Sequence, residues 1–271
     1  MIDRAEVGSA LGSSVKAITP TAGGDICAAF RAELLDGRLA FLKTHDRALP
    51  GMFEAEAAGL DWLRPGPLRL PRVLAIGDTW LALEWLELSG RPNLEELGRG
   101  LAALHQLPAP GFGLSKPNYL ATLPQDNAPE SDWPTFYIER RLRPLMRRAG
   151  LGVAAQLDQL RARPDLFGPP EPPARLHGDL WWGNVGSSKG TPVIFDPAVY
   201  GGHREVDLAM LALFGDLPDQ LISAYREISP LAPGWRDRLP LHQLYPLAAH
   251  ACLFGGGYGA RVVEVLSRYL G

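Results

Sequence analysis

"LHGDLWWGN" occupies residues 176–184, and "VIFDP" follows at 193–197. Gly178 and Gly183 oppose a regular helix, so the first stretch reads as a loop carrying Asp179 and Asn184. Twelve residues beyond Asn184, Asp196 closes the apolar run "VIF". Carboxylate and amide oxygens are the donors that hard Mg²⁺ prefers. In phosphoryl transfer one Asp can take a hydroxyl proton while an Asn and a second Asp hold metal. An Asp or Asn alone in a Gly-rich turn is most simply a turn former. A turn does not require the downstream Asp196, so the trio points to chemistry. His177 is expected to brace the loop backbone. "ARLHGDL" and "TPVIFDP" are expected to be short paired strands, with "GSSKG" (186–190) as the hairpin tip.

The residues before this block divide in two. The first 88 read β-β-β-α-β-β. "SVKAITP", "CAAFRAELL" and "RLAFLKTH" are strands, and Asp36-Gly37 is a tight-turn signal. "GMFEAEAAGLDWL" places Phe53, Ala57 and Leu60 on one helical face, and Pro65 and Pro67 stop it. "RVLAIG" and "WLALEWLEL" complete the strands. Lys43 lies between apolar residues of the third strand, and Glu56 on the following helix can pair with it. Taken singly, the two also suit an edge-strand lysine and a solvated glutamate. Glu54 is the rival partner, but it sits about 200° around the helix from Glu56, so only one of them faces the strand. "GGD" (23–25) is either a plain hairpin turn or a loop whose N–H groups approach phosphate.

From residue 89 on, helical periodicity dominates. "NLEELGRGLAALHQL" carries a leucine stripe after an Asn93 start. Residues 108–135 read as a long loop. Helices are expected at 135–149, 153–162, 205–214, 217–227 and 237–270. Asp207 heads one of them and suits either an N-terminal cap or a deeper role. Arg140, Arg141 and Arg143 suit either a solvated face or a substrate contact. His250 lies in an apolar helix, where a satisfied core histidine is the commoner case. Gly255–Gly257 suit close helix packing. "GGGYGA" matches G-x-G-x-x-A, but it follows no β-branched strand, so it is not a dinucleotide fingerprint.

A net charge of −3 over 271 residues gives no reason to expect a nucleic-acid partner or a membrane surface. No stretch approaches the roughly 18 apolar residues of a membrane span. "MIDRAEVGSA" carries early charge and no apolar block, unlike a secretory signal. Cys27 and Cys252 form no CxxC pair, which fits a reducing cytoplasm better than a disulfide framework or a zinc site.

These stretches together resemble the fructosamine kinase / ketosamine-3-kinase family, relatives of aminoglycoside and choline kinases in the protein-kinase-like fold. "LHGDLWWGN" is similar to the family's catalytic loop. "VIFDPAVYGGHREVDLAM" is similar to its metal-binding segment and next helix, and "LEWL" to its hinge. "NYLATLPQDN…DWPTFYIERRLRP" resembles its substrate-side insert, and "HACLFGGGY" a C-terminal segment near the cleft. The resemblance runs from Gly23 to Tyr258. It implies an α+β fold of two lobes: residues 1–88 as a small antiparallel sheet with one helix, and 89–271 as a larger, mainly helical lobe.

The resemblance also implies roles. Asp179 is the catalytic base, Asn184 and Asp196 are Mg²⁺ ligands, and Lys43, paired with Glu56, contacts the phosphates of ATP. Gly23 and Gly24 lie at the nucleotide, and Glu84 and Leu86 flank the backbone that receives adenine. Trp181 packs on the sugar with His250 nearby, while Asp207 and His177 steady the loop. The implied activity is ATP-dependent phosphorylation of the 3-hydroxyl of free or protein-bound ketosamines, serving deglycation; the sequence leaves the oligomeric state open, with a monomer the simplest expectation. Trp182, Pro117 and Ala121 depart from residues common in the family, which bears on the substrate pocket. Asp25 stands where many relatives carry a cysteine, so redox control through Cys27 is not carried over. The rivals are a kinase of the aminoglycoside or choline type and a non-catalytic nucleotide-binding scaffold. The insert balances Asp126, Glu130, Asp132 and Glu139 against three arginines, which disfavours a polycationic acceptor.

Overall fold

Five short runs of alternating polarity form the strands β1 (Val15–Pro20), β2 (Ala28–Leu34), β3 (Leu39–Thr44), β4 (Val73–Gly77) and β5 (Trp80–Glu84) of one antiparallel sheet, in the order β1-β2-β3-β5-β4. The computed structural model describes residues 2–21 and 26–271. The "GGD" turn, with Gly23 and Gly24, lies outside the described residues.

Successive strand residues point to opposite faces, and β3 shows the consequence. Ala40 and Leu42 are buried on one face with Ala32, Leu34, Trp80 and Ala82. Phe41 and Lys43 face the other side and line a cleft. The buried face is closed by a helix that the sequence reading did not expect, α1 (Arg4–Leu11). It contributes Val7 and Leu11, one helical turn apart, and Glu6 accepts the Trp80 indole N–H at 2.9 Å. Its ends are conventional. The Asp3 side chain accepts from the N–H groups of Ala5 and Glu6, and Gly12 adopts φ 70°. The sheet lobe thus carries two helices rather than one. The second is α2 (Met52–Leu63), which buries Phe53, Ala57, Leu60 and Leu63.

The helical part contains α3 (Leu94–Gln106), a small hairpin of β6 (Asn118–Leu120) and β7 (Leu123–Gln125), α4 (Trp133–Phe136), a π-helical turn at Tyr137–Leu142, α5 (Arg143–Arg148) and α6 (Ala154–Arg161). The expected 108–135 loop therefore holds a hairpin. Further on come β8 (Ala174–Leu176), β9 (Val185–Ser188), β10 (Thr191–Ile194), β11 (Tyr200–Gly202), α7 (Glu205–Leu211), α8 (Asp219–Ile228), α9 (Trp235–Phe254) and α10 (Tyr258–Leu270).

Two expectations are corrected here. "ARL" and "TPVI" do not pair with each other. β8 pairs with β11, whereas β10 folds back on β9 across Lys189-Gly190. The expected single helix at 237–270 is two. Gly255 and Gly256 both take φ 64° and end α9, and a Cβ at either would meet open space, so they break the helix rather than pack it. Among the described residues no helix is long and apolar enough to cross a membrane.

Under α7 lies a buried polar cluster. His203 and His242 stack with ring centroids 5.1 Å apart, and Glu205 accepts two bonds from Arg238 at 2.6 and 2.9 Å. Burial, then the neighbouring His242, pushes His203 down to about 3. Burial also lowers His177. An unfolded histidine binds its proton near pH 6.5, and folded His203 does not until about 3. Between those values the unfolded state holds more protons, so stability falls as pH drops, by up to about 1.4 kcal/mol per pH unit for each such group. Glu205, which burial would raise but its His242 and Arg238 partners hold at about 2, adds its loss only below about pH 4.5. Glu56 and Asp179, raised by burial, act with the opposite sign over the same range, so the His203 share is read as a difference: between pH 7.5 and pH 5.5 the melting temperature of the wild type is expected to fall more, or rise less, than that of His203→Gln. The same change in both proteins would contradict this.

Candidate active site

The loop after β8 owes its shape to Gly178 and Asp207. Gly178 sits at φ 80°, and any Cβ there would collide with the Ala198 carbonyl oxygen, so no other residue lets the loop pass. Asp207, fully buried on α7, accepts the backbone N–H groups of His177 at 2.8 Å and Gly178 at 2.9 Å. Its other partner is His105 Nε2 at 3.1 Å, while His105 Nδ1 shares a hydrogen bond with the Tyr225 hydroxyl at 2.8 Å. Burial alone would raise Asp207, but the His105 hydrogen bond and the surrounding charges outweigh it and hold the carboxyl below its usual range. Asp207 thus bonds the loop and does not cap its own helix. The His177 ring bridges the loop to the next strand end: Nε2 donates to the Phe195 carbonyl at 3.0 Å and Nδ1 accepts the Asp179 N–H at 3.3 Å.

Asn184 ends a 3-10 turn, and its Nδ2 donates to the Asp179 carbonyl at 2.8 Å and to Asp179 Oδ2 at 3.1 Å. That leaves Asn184 Oδ1 free of these bonds. Asp196 adopts φ 57°, a left-handed conformation that Asp tolerates better than most residues and that is characteristic of functional sites. Its Oδ1 lies 3.0 Å from Lys43 Nζ, and Glu56 Oε2 lies 2.8 Å from the same ammonium. Glu54 is exposed on the other side of α2.

Burial pulls the Lys43 ammonium down, but Asp196 and Glu56 outweigh it and hold it above an ordinary lysine. Burial pushes Glu56 up to about 7 against the attraction of Lys43. The 2.8 Å contact to an ammonium bound by two carboxylates keeps the pair ionic. Asp179 is raised well above a free aspartate, by burial first and by the Asp196 charge second. Burial raises the Cys27 thiol to about 11 against the pull of Lys43, so it stays protonated.

Two cavities meet at this cluster. One, of about 580 Å³, lies under the sheet between Phe41, Leu83, Leu86 and Phe195. Glu84 borders it, its carboxylate turned to Arg69 and Arg72 at 3.5 and 3.4 Å. The other, of about 490 Å³, lies between α2, the β6–β7 hairpin and the α9–α10 junction. Lys43, Asn184, Asp196, Trp181 and Cys27 border both, whereas Asp179 opens only on the second. A donor and an acceptor bound in the two cavities would meet at the polar cluster, and its oxygen-rich set suits a hard divalent cation.

Several features were not legible in advance. The second cavity has an aromatic side in which Phe214, Phe254 and Tyr258 join the expected Trp181 and the half-buried His250. Trp182 turns away and donates to the Asp216 carbonyl at 3.1 Å, anchoring the segment that carries Phe214. Arg140 and Arg143 form surface ion pairs with Asp126, Glu130, Glu139 and Asp158, but Arg141 is buried over the Tyr200 ring at 4.0 Å. Arg141 donates to Asn127, Asn127 to Asn118 at 2.8 Å, and Asn118 to the Val199 carbonyl at 2.7 Å. This chain ties the π-turn to the segment after Asp196.

The comparisons with known proteins agree with one another. A family model described as fructosamine kinase matches residues 5–271. An Enterococcus faecium protein named "probable ketoamine kinase" is 41% identical over 265 residues, covering 93% of this chain and 95% of its own. A solved structure from Thermobifida fusca, a candidate fructosamine-3-kinase, superposes with a TM-score of 0.88 at 43% identity, covering 97% of this chain and 96% of that one. More distantly, an aminoglycoside phosphotransferase solved as a ternary complex with ADP and hygromycin B has a TM-score of 0.61 at 16% identity, with 99% of each chain covered. That likeness concerns the two-lobe kinase-like fold alone.

Proposed function

The chain belongs to the fructosamine kinase family, phosphotransferases that act on a sugar hydroxyl, and from that premise we propose that it transfers the γ-phosphoryl group of ATP to the 3-hydroxyl of a ketosamine. The observation that carries the reading is the meeting of two cavities at Lys43, Asn184 and Asp196, with Asp179 open only to the second. We take residues 1–88 as the lobe that holds the nucleotide and 89–271 as the lobe that holds the acceptor.

In this reading adenine lies against Leu86 and the backbone beside Glu84, and Lys43, oriented by Glu56, binds phosphate oxygens. Asn184 and Asp196 would hold Mg²⁺, which neutralises charge on the phosphates. Asp179 orients the sugar hydroxyl and takes its proton. A carboxyl raised by burial is better matched to that proton than a free aspartate. His177 and Asp207 keep the loop in register. With phosphate on carbon 3, enolisation toward carbon 1 expels inorganic phosphate, and water then hydrolyses the resulting C1=N bond to release the amine and a 3-deoxy dicarbonyl sugar, so in this reading the role is deglycation repair. The acceptor is a small ketosamine or one on a protein lysine. Free Cys27 and Cys252 suit a cytoplasmic setting.

Trp181, two residues after Asp179, is placed on the sugar. Trp181→Ala is expected to raise KM for the ketosamine about two- to tenfold, the worth of one aromatic contact, with a smaller change in KM for ATP. The reverse pattern in steady-state kinetics would move Trp181 to the nucleotide side.

The function is tested by incubating ribulosamine, erythrulosamine and fructosamine adducts, free and lysine-linked, with labelled ATP and Mg²⁺ beside an aminoglycoside and choline. Label in the ketosamines is expected. Label only in the aminoglycoside or choline would reassign the acceptor. Nucleotide binding without transfer to any acceptor would make the protein a scaffold.

A further inference from the structure

The wall of the acceptor cavity facing away from Lys43 is aromatic and, among the described residues, carries no formal charge. Three separate elements build it. Trp181 comes from the loop after β8, Phe214 from the segment after α7, and His250, Phe254 and Tyr258 from the α9–α10 junction. The rings form a continuous run. Trp181 meets Phe214 edge-on with centroids 6.3 Å apart, Phe214 meets His250 at 4.9 Å, and His250 meets Phe254 at 5.4 Å and Tyr258 at 5.1 Å. His250 Nδ1 donates to the Pro246 carbonyl at 2.7 Å, and burial lowers its proton affinity, so the ring is neutral. Among the described residues, the charged groups of the cavity are Lys43, Glu56, Asp179 and Asp196, all at the reacting end. Yet Phe214 and Phe254 remain 41% and 51% exposed, apolar surface left open at the mouth of a site.

The chemistry of a ketosamine says what must pass over this wall. Its nitrogen lies four bonds from the 3-hydroxyl oxygen, roughly 5 Å at ordinary bond lengths. With that oxygen at Asp179, a nitrogen directed away from Lys43 would come toward Trp181, and its substituent would lead outward over Phe214 and Phe254, which line the same cavity. A secondary ammonium is attracted by aromatic faces within about 6 Å. Beyond it the wall offers ring faces and the Tyr258 hydroxyl but, among the described residues, no formal charge to balance a carboxylate or a second ammonium.

Building on the ketosamine reading, we propose that Phe214 and Phe254 set the choice of acceptor: the site takes ketosamines whose amine carries an apolar or aromatic body, in preference to those of zwitterionic amino acids or polyamines. A carboxylate close to the nitrogen gives up part of its water against the rings with no cation there to balance it, which is costly. A phenyl group in the same place buries apolar area and stacks on the rings.

The test holds the sugar constant and varies the amine. Ribulosamine adducts of benzylamine, propylamine, glycine and spermidine are compared by kcat/KM in the wild type, Phe214→Ala and Phe254→Ala. In the wild type the benzylamine adduct is expected to exceed the glycine adduct by roughly tenfold, with propylamine between them and spermidine below propylamine. In each variant the benzylamine-to-glycine ratio is expected to fall toward one. Both phenylalanines are substantially exposed, so the variants should fold, and the wild-type series decides the matter even if one does not. Turnover of the benzylamine and glycine adducts at equal kcat/KM, or a ratio unmoved in both variants, would overturn the proposal and leave the ketosamine reading standing. No turnover of any adduct would overturn both.

Discussion

Asp179→Ala is expected to lower kcat with a ribulosamine by about 10²–10⁴, roughly 3–5 kcal/mol of barrier, while nucleotide affinity is kept. A sugar hydroxyl is a poor nucleophile until it is oriented and its proton has a destination. Asp179 is the sole carboxylate of "LHGDLWWGN", and an Asn184 amide does not take a proton at neutral pH. It also opens on the acceptor cavity alone, so its loss leaves the nucleotide cavity lined as before. The loop should hold, because Asn184 still bonds the backbone carbonyl of residue 179 at 2.8 Å, and Asp207 still accepts the N–H groups of His177 and Gly178. Steady-state kinetics, nucleotide calorimetry and a melting curve separate these effects. A variant that keeps more than about a tenth of wild-type kcat, outside the range for general-base assistance, would make Asp179 a turn residue.

Asp196→Asn is expected to cut Mg²⁺-dependent turnover by roughly 10² or more, since a bound cation supplies several kcal/mol of charge stabilisation. The substitution keeps size and shape. Asn is also well suited to the left-handed backbone at φ 57°, so the fold should survive. What is lost is a negative charge that both a cation and the Lys43 ammonium, 3.0 Å away, depend on. Mg²⁺ affinity in the presence of nucleotide should fall together with turnover, and raising Mg²⁺ should restore part of it. Near-normal turnover at millimolar Mg²⁺ would remove Asp196 from the metal site.

The polar cluster was legible because its spacing is local. Asp179 and Asn184 share one loop, Asp196 ends the strand after the next turn, and the helical angle between Glu54 and Glu56 lets only one of them reach Lys43. Long-range pairing was not legible. Nothing in "ARL" names Tyr200–Gly202 as its partner, and two neighbouring strand-like segments were paired instead. Helix α1 was missed because just Val7, Gly8 and Leu11 are buried in it, although Asp3 and Gly12 mark its ends. Arg141 was misplaced for a geometric reason. The π-turn at 137–142 shifts the phase of the helix, so a residue flanked by two solvent-facing arginines points inward onto Tyr200. Of the aromatic wall, Trp181, His250 and the "HACLFGGGY" stretch were expected near the sugar, but Phe214 and the joining of these rings into one surface escaped notice, because the members lie up to 77 positions apart, from Trp181 to Tyr258, and only folding assembles them.

The central claim is that phosphate passes across the seam between the two cavities to one hydroxyl of a ketosamine. The most direct measurement is NMR of the product formed from ATP, Mg²⁺ and a ribulosamine, with the phosphorus coupling read to each sugar proton. The account predicts one phosphomonoester, coupled to the proton on carbon 3, formed by the wild type and absent with Asp179→Ala. Phosphate on another carbon, or ATP consumed with release of inorganic phosphate alone, would contradict it.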